Sequence, residues 1–304
     1  MAALSIFTGV ATCSITLAAP APAPAADEVG NVFKSLADKV GPALVTVKYI
    51  MKIEASGQMA EALGHMGDEG KETEITGVMI EPGGLVLVSN AALSGGAQME
   101  LMSMFGGGGF SVNPTELKII AGDDTEGLKA KILARDTELD LAWIKIDDDK
   151  AKGKTFPAID LHASASPTMG DRLFAVDRMA KFFDHALTVT EGRVGGATKK
   201  PRSLFIPSGM RGDLGMPMFA ADGKIVGFGV LQVPSKEDVE GGNVDEMMSG
   251  GGFGVMILPA DDVIKATVRT KDMAEKAEAA PAAAAPSADP KKPDADGAKP
   301  AAKH

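Results

Sequence analysis

From Ala43 onward the chain is cut into short apolar and β-branched runs separated by Gly, Pro or Asp, and this punctuation limits the folds open to it. The runs are Ala43 to Ile50, Ile75 to Ile80, Leu85 to Val88, Leu117 to Ile120, Ala130 to Leu133 and Leu141 to Ile146. They continue with Arg172 to Val176, Ala186 to Thr190, Leu204 to Ile206, Met218 to Phe219, Ile225 to Leu231 and Gly254 to Ile257. Short strands with turn signals between them predict an antiparallel sandwich or barrel rather than βαβ units. With 304 residues, 45% of them hydrophobic, the chain has material for one large or two small cores.

Helical spacing occurs only at the borders of this pattern. Val29, Val32, Phe33, Leu36 and Val40 predict a short amphipathic helix ahead of the strands. Ile257 to Ala266 reads as a strand leading into a closing helix, with Asp261 as its cap. Asp222-Gly223 predicts a hairpin turn. Met51 to Thr73 and Gly95 to Pro114 read as insertions.

Residues 1–26 carry no charge and pass from an apolar run into alternating Ala and Pro, which predicts a secretory signal, the alternative being an uncleaved anchor. Cys13, the single cysteine, lies within it, so its removal would leave no thiol for disulfides, thiolate catalysis or cysteine metal sites. No stable membrane span is expected after removal. Residues 273–304 are Ala, Pro, Lys, Asp and Glu with almost nothing apolar beyond Ala, a composition expected to be disordered. Acidic residues and lysines balance there, so the net charge of -10 sits on residues 27–272 and argues against a nucleic-acid partner.

Several segments, in one order, resemble the HtrA-type (Deg) branch of the trypsin-like serine proteases. They are Val40 to Val47, Thr76 to Leu87, Ala134 through Ile146, Met169 to Val176, Thr188 to Val194, Gly212 to Phe219 and Gly252 to Pro259. The resemblance implies an all-β fold of two Greek-key antiparallel barrels, with a short N-terminal and a C-terminal helix and a disordered tail. The N-barrel would span about 42–160 and the C-barrel about 166–268, within a domain of residues 27–272, with a cleft between the barrels. No PDZ module is apparent after residue 268.

The same resemblance assigns the catalytic positions, and two of the three are emptied. Asp140 stands at the triad carboxylate, Ala91 at the histidine and Leu214 at the nucleophile. Sliding the alignment restores neither side chain. No histidine lies between Met66 and Leu161, and no Ser, Thr or Cys between Gly209 and Pro234. The remaining histidines are His65, His162, His185 and His304, none at a position aimed at residue 214.

No residue is therefore assigned as catalytic, and Asp140 is expected to serve as a hydrogen-bond acceptor. The Gly212 and Leu214 amides are an oxyanion-hole remnant, with Met216 where the family keeps a glycine. The expected function is an exported, inactive pseudoprotease that binds polypeptide or a protein partner. By the resemblance an added strand would seat at Phe205 to Met210 and at Gly227, Phe228 and Gly229 through Leu231. The alternatives are an active serine endopeptidase using a non-standard nucleophile such as Ser208, and an envelope scaffold or metal-handling protein. Met99, Met102 and Met104 suit either Cu(I) or a flexible apolar loop. No cofactor is expected.

Overall fold

The computed structural model describes residues 26–55, 70–96, 110–122, 124–210, 213–232 and 254–279. Helix α1 (Ala26–Val40) leads through a 3-10 turn (Gly41–Ala43) into β1 (Leu44–Ala55). Then come β2 (Lys71–Glu81), β3 (Leu85–Ser89), the single turn α2 (Asn90–Leu93), β4 (Phe110–Ile120), β5 (Leu128–Asp136) and β6 (Leu141–Ile146). The second half runs β7 (Arg172–Arg178), β8 (Leu187–Ala197), β9 (Phe205–Ser208), β10 (Pro217–Phe219), β11 (Ile225–Gln232), β12 (Gly254–Pro259) and α3 (Ala260–Ala279).

Each apolar run singled out in the sequence falls on a strand, to within one residue at Ala43, Ala186 and Leu204, and the strands close into two antiparallel barrels. The first has the order β1-β2-β3-β6-β5-β4 and the second β10-β11-β12-β9-β8-β7. The strands on the barrel interior and the barrel–barrel seam are apolar on both faces. All of Leu85 to Ser89 in β3 is buried, as is Ile225 to Leu231 in β11. Val176, Phe174 and Phe228 of the second barrel join the same buried cluster as Val47, Leu87 and Trp143 of the first.

Three boundaries differ from the sequence reading. The stretch Met51 to Thr73 is not wholly an insertion, because β1 continues to Ala55 and β2 begins at Lys71. Likewise β4 starts at Phe110, inside the stretch Gly95 to Pro114. Pairing explains this: Met51 faces Pro114 and Ile53 faces Val112, so backbone bonding carries a polar, half-exposed ladder that composition alone reads as loop. At the other end α3 runs to Ala279, past the boundary expected at 272. The Ala, Glu and Lys residues there are strong helix formers and extend an existing helix without needing burial. Residues 280–304 lie outside the described residues. Asp261 sits in the first turn of α3, where its charge suits the helix dipole. Among the described residues no helix is long and apolar enough to cross a membrane.

The terminal helices cross over. Helix α1 precedes the first barrel yet packs Phe33 edge-on against Phe174 of β7, with ring centroids 5.9 Å apart. Helix α3 follows the second barrel yet accepts the indole N–H of Trp143 in β6 on the Thr267 hydroxyl, at 3.0 Å. Arg178 holds the seam between them, donating to the carbonyls of Leu44 and Gly41 at 3.2 and 3.0 Å.

Candidate active site

Strand β3 ends at Ser89, whose extended backbone makes it the N-cap of α2. Its Oγ accepts from the Ala92 amide at 3.1 Å, and this turn delivers Ala91 to the barrel seam. Across from it, Asp140 precedes β6 in a left-handed conformation, φ 55°, which Asp tolerates better than most residues. Its carboxylate is buried and gathers three donors. Ala91 N–H reaches Oδ1 at 2.6 Å, and the Ser89 hydroxyl and Leu231 N–H reach Oδ2 at 2.8 and 2.7 Å. The Asp140 carbonyl also accepts from Asn90 N–H at 3.1 Å. Beside it the Asn90 Oδ1 is buried with no partner among the described residues.

The turn bearing Leu214 is fastened to the same place. Gly215, at φ 80°, lies so close to β3 that a Cβ there would come 3.1 Å from the Ser89 nitrogen. Its N–H donates to the Gly229 carbonyl at 2.7 Å, and Gly229 N–H returns a bond to Met216 at 2.8 Å. Gly229 has no room for a side chain, since a Cβ would stand 2.5 Å from the Asp213 carbonyl oxygen. Gly229→Ala is therefore expected to cost about 1–3 kcal/mol, read as a lower urea midpoint with an unchanged slope.

Ala91, Asp140 and the Leu214 turn thus converge. Ala91 is buried and Leu214 half-buried, and neither offers a proton-transferring or nucleophilic atom. Met216 sends its side chain into the second barrel's core with Leu173, Met218 and Ile257. Gly212 falls outside the described residues, as do His65, His304 and the Met99, Met102 and Met104 group. His185 faces Glu74 of β2 at 3.6 Å, and His162 is exposed between the barrels. Ser208 lies in β9 opposite Arg193 and packs toward Gly195.

Not all of the expected binding edge is open. Gly227 and Phe228 are paired on both sides, to Met218 and Pro217 of β10 and to Pro259 and Leu258 of β12. Gly229 pairs with Ile257 and with the Leu214 turn. Those positions are interior sheet and cannot take another strand. Phe205 is likewise held by both Ala197 and Ile257. Ile206, Pro207 and Ser208 pair only with β8 among the described strands, and a proline is at home on such an edge. Met210 lies over Gly192, midway along β8.

Sequence reasoning missed Ser89 and Asp177, and the contact of Leu231 with Asp140. The spacing of a cap was readable at Ser89, whereas Leu231 contributes only its backbone N–H. Asp177 of β7 is placed at the seam with the Thr76 hydroxyl of β2 and Asp213. Burial pushes its carboxyl above the usual range and the Asp213 charge adds to this, while hydrogen bonds from Arg178 N–H and Thr76 pull the other way.

The family model for the trypsin-like peptidase domain matches residues 75–228. The chain belongs to the trypsin-like peptidase family. Similar solved structures are a variant of the HtrA-type protease AlgW with a decapeptide (18% identity, TM-score 0.49), a variant with a tripeptide (18%, 0.47) and AlgW with a decapeptide (16%, 0.48). They cover 78%, 76% and 79% of this chain, which spans 66%, 61% and 68% of theirs. At this identity the likeness concerns the fold alone. No curated protein matches the chain in sequence. In this trypsin-like chain, acyl transfer would need a hydroxyl nucleophile, an imidazole to take its proton and a carboxylate to orient the imidazole. Among the described residues, the carboxylate of Asp140 stands at the seam beside Ala91 and the Leu214 turn.

Proposed function

We propose that the chain is an exported, catalytically inactive member of the trypsin-like peptidase family, of HtrA type, that binds polypeptide or a protein partner without cleaving it. The reading rests on one observation above all. The Asp140 carboxylate, which would orient an imidazole, is engaged by the Ser89 hydroxyl and the Ala91 and Leu231 amides, next to an alanine and a leucine. Loss of either the serine or the histidine of such a triad lowers kcat by roughly 10⁶. Both are absent here.

Partner binding would use backbone rather than side-chain chemistry. The edge at Ile206 to Ser208 is the place for an added strand, with Phe205 and Met210 beside it, because strand addition needs unpaired N–H and C=O groups and no triad. Export rests on the uncharged apolar leader, residues 1–26, ahead of the double barrel and the Ala- and Pro-rich tail.

A serine-reactive fluorophosphonate probe tests the inactivity, and fluorescein-labelled unfolded casein tests the binding. The expected result is no labelling above the heat-denatured protein, no proteolysis, and saturable anisotropy with casein. Labelling that maps to a single serine of the native protein would overturn the reading, as would casein turnover.

A further inference from the structure

The hairpin between β7 and β8 carries two phenylalanines on a rigid tip. Phe182 is 89% exposed and Phe183 52%, and their rings stack edge-to-face with centroids 5.0 Å apart at 88°. Met179, also exposed, lies on the same tip. Keeping so much aromatic surface in water forgoes the stabilisation that its burial would bring, and the turn is built to keep it there. Lys181 to Phe183 form a 3-10 turn, and Asp184 and His185 follow with φ of 56° and 50°. Consecutive left-handed residues other than glycine are costly and persist only where their surroundings hold them. Four backbone bonds do so here: the N–H groups of Met179, Phe183, Asp184 and Ala186 donate to the carbonyls of Ala186, Ala180, Lys181 and Phe183 at 2.9, 2.8, 2.9 and 3.1 Å. Arg178 adds a bond to the His185 carbonyl at 3.3 Å.

These bonds bear on what the tip can meet. The four amides are spent inside the turn, so they are closed to an added strand and can enter an apolar medium without being left unpaired. Charge at the tip is balanced. Lys181 and Asp184 are both exposed, and neither forms an ion pair among the described residues; Glu72, a carboxylate that feels the Lys181 charge, is taken by Lys48 at 3.0 Å. One ammonium and one carboxylate flanking a pair of rings complement the phosphate and the ammonium of a zwitterionic lipid headgroup, with the rings reaching the acyl chains beneath. The net charge of -10 disfavours a strongly anionic surface.

We propose that the Phe182–Phe183 tip inserts into the interface of a zwitterionic lipid bilayer, so that the double barrel rides on a membrane surface without spanning it.

Co-sedimentation of the full chain with vesicles of phosphatidylethanolamine and phosphatidylcholine tests this. The parent is expected to bind saturably, and Phe182→Ser to bind at least about tenfold more weakly. Both proteins carry the same residues 1–26, so the difference between them belongs to the tip. Phe182→Trp reads insertion directly: the introduced indole should shift its emission to shorter wavelength on vesicles and be quenched by lipids brominated high on the acyl chains, against the constant background of the buried Trp143. Residue 182 is exposed, and circular dichroism and thermal midpoints matching the parent's establish that the variants are folded. A parent that stays in the supernatant overturns the proposal, as does a folded Phe182→Ser that binds like the parent or an introduced indole that vesicles leave unchanged. Tightening by added phosphatidylglycerol, equal in parent and Phe182→Ser, would place the binding on headgroup charge and overturn it too. Casein binding lost in Phe182→Ser, with no vesicle binding by the parent, would make the tip a protein contact instead.

Discussion

Replacing Asp140 with alanine is expected to lower folding stability by about 3–5 kcal/mol. The substitution strands the Ser89 hydroxyl and the Ala91 and Leu231 amides in a buried site, and each unpaired donor costs about 1–3 kcal/mol, less whatever entering water recovers. Asn is the instructive comparison. It keeps the left-handed backbone and one acceptor for Ala91, and the Ser89 hydroxyl can turn to accept, but its amide group faces the Leu231 N–H donor to donor. Asp140→Asn should therefore cost about 1–3 kcal/mol. Urea unfolding of the three proteins measures both values. A folded Asp140→Ala protein within half a kilocalorie of the parent would show that these bonds contribute nothing net.

The second large effect is a gain. The double variant Ala91→His with Leu214→Ser is expected to react with a fluorophosphonate at least about 100-fold faster than either single variant, because nucleophile and base act as a unit and each is nearly useless alone. The position of residue 91 is already fixed by its own amide on Asp140, and that of residue 214 by Gly215 against Ser89. Exchanging leucine for serine also removes volume from the turn. A folded double variant that labels no faster than the singles would mean that the turn no longer presents residue 214 in an attacking geometry.

What could be read without coordinates follows from which information is carried by side chains. The strands were legible because apolar runs and turn residues alternate all along the chain. The polar ends of β1, β2 and β4 were not, since their formation depends on a partner strand distant in sequence. Nor was the closed state of Gly227 and Phe228: a glycine-containing apolar strand reads the same whether one edge or both are paired. The role of the Leu231 amide lay beyond any reading of residue types. The Phe182–Phe183 tip was plain in the sequence as letters, but only the surrounding turn shows that both rings face outward.

The crossed terminal helices have a consequence for how such a chain tolerates change at the barrel seam. Since α1 closes over the second barrel through Phe33 and α3 is tied to the first through Trp143, neither barrel is complete with only its own stretch of sequence. The two halves are interlocked by their far ends, like hands clasped at the wrists, and they gain or lose order together. None of that clasp passes through residues 91 or 214, so side chains there are free to change without unfastening the molecule.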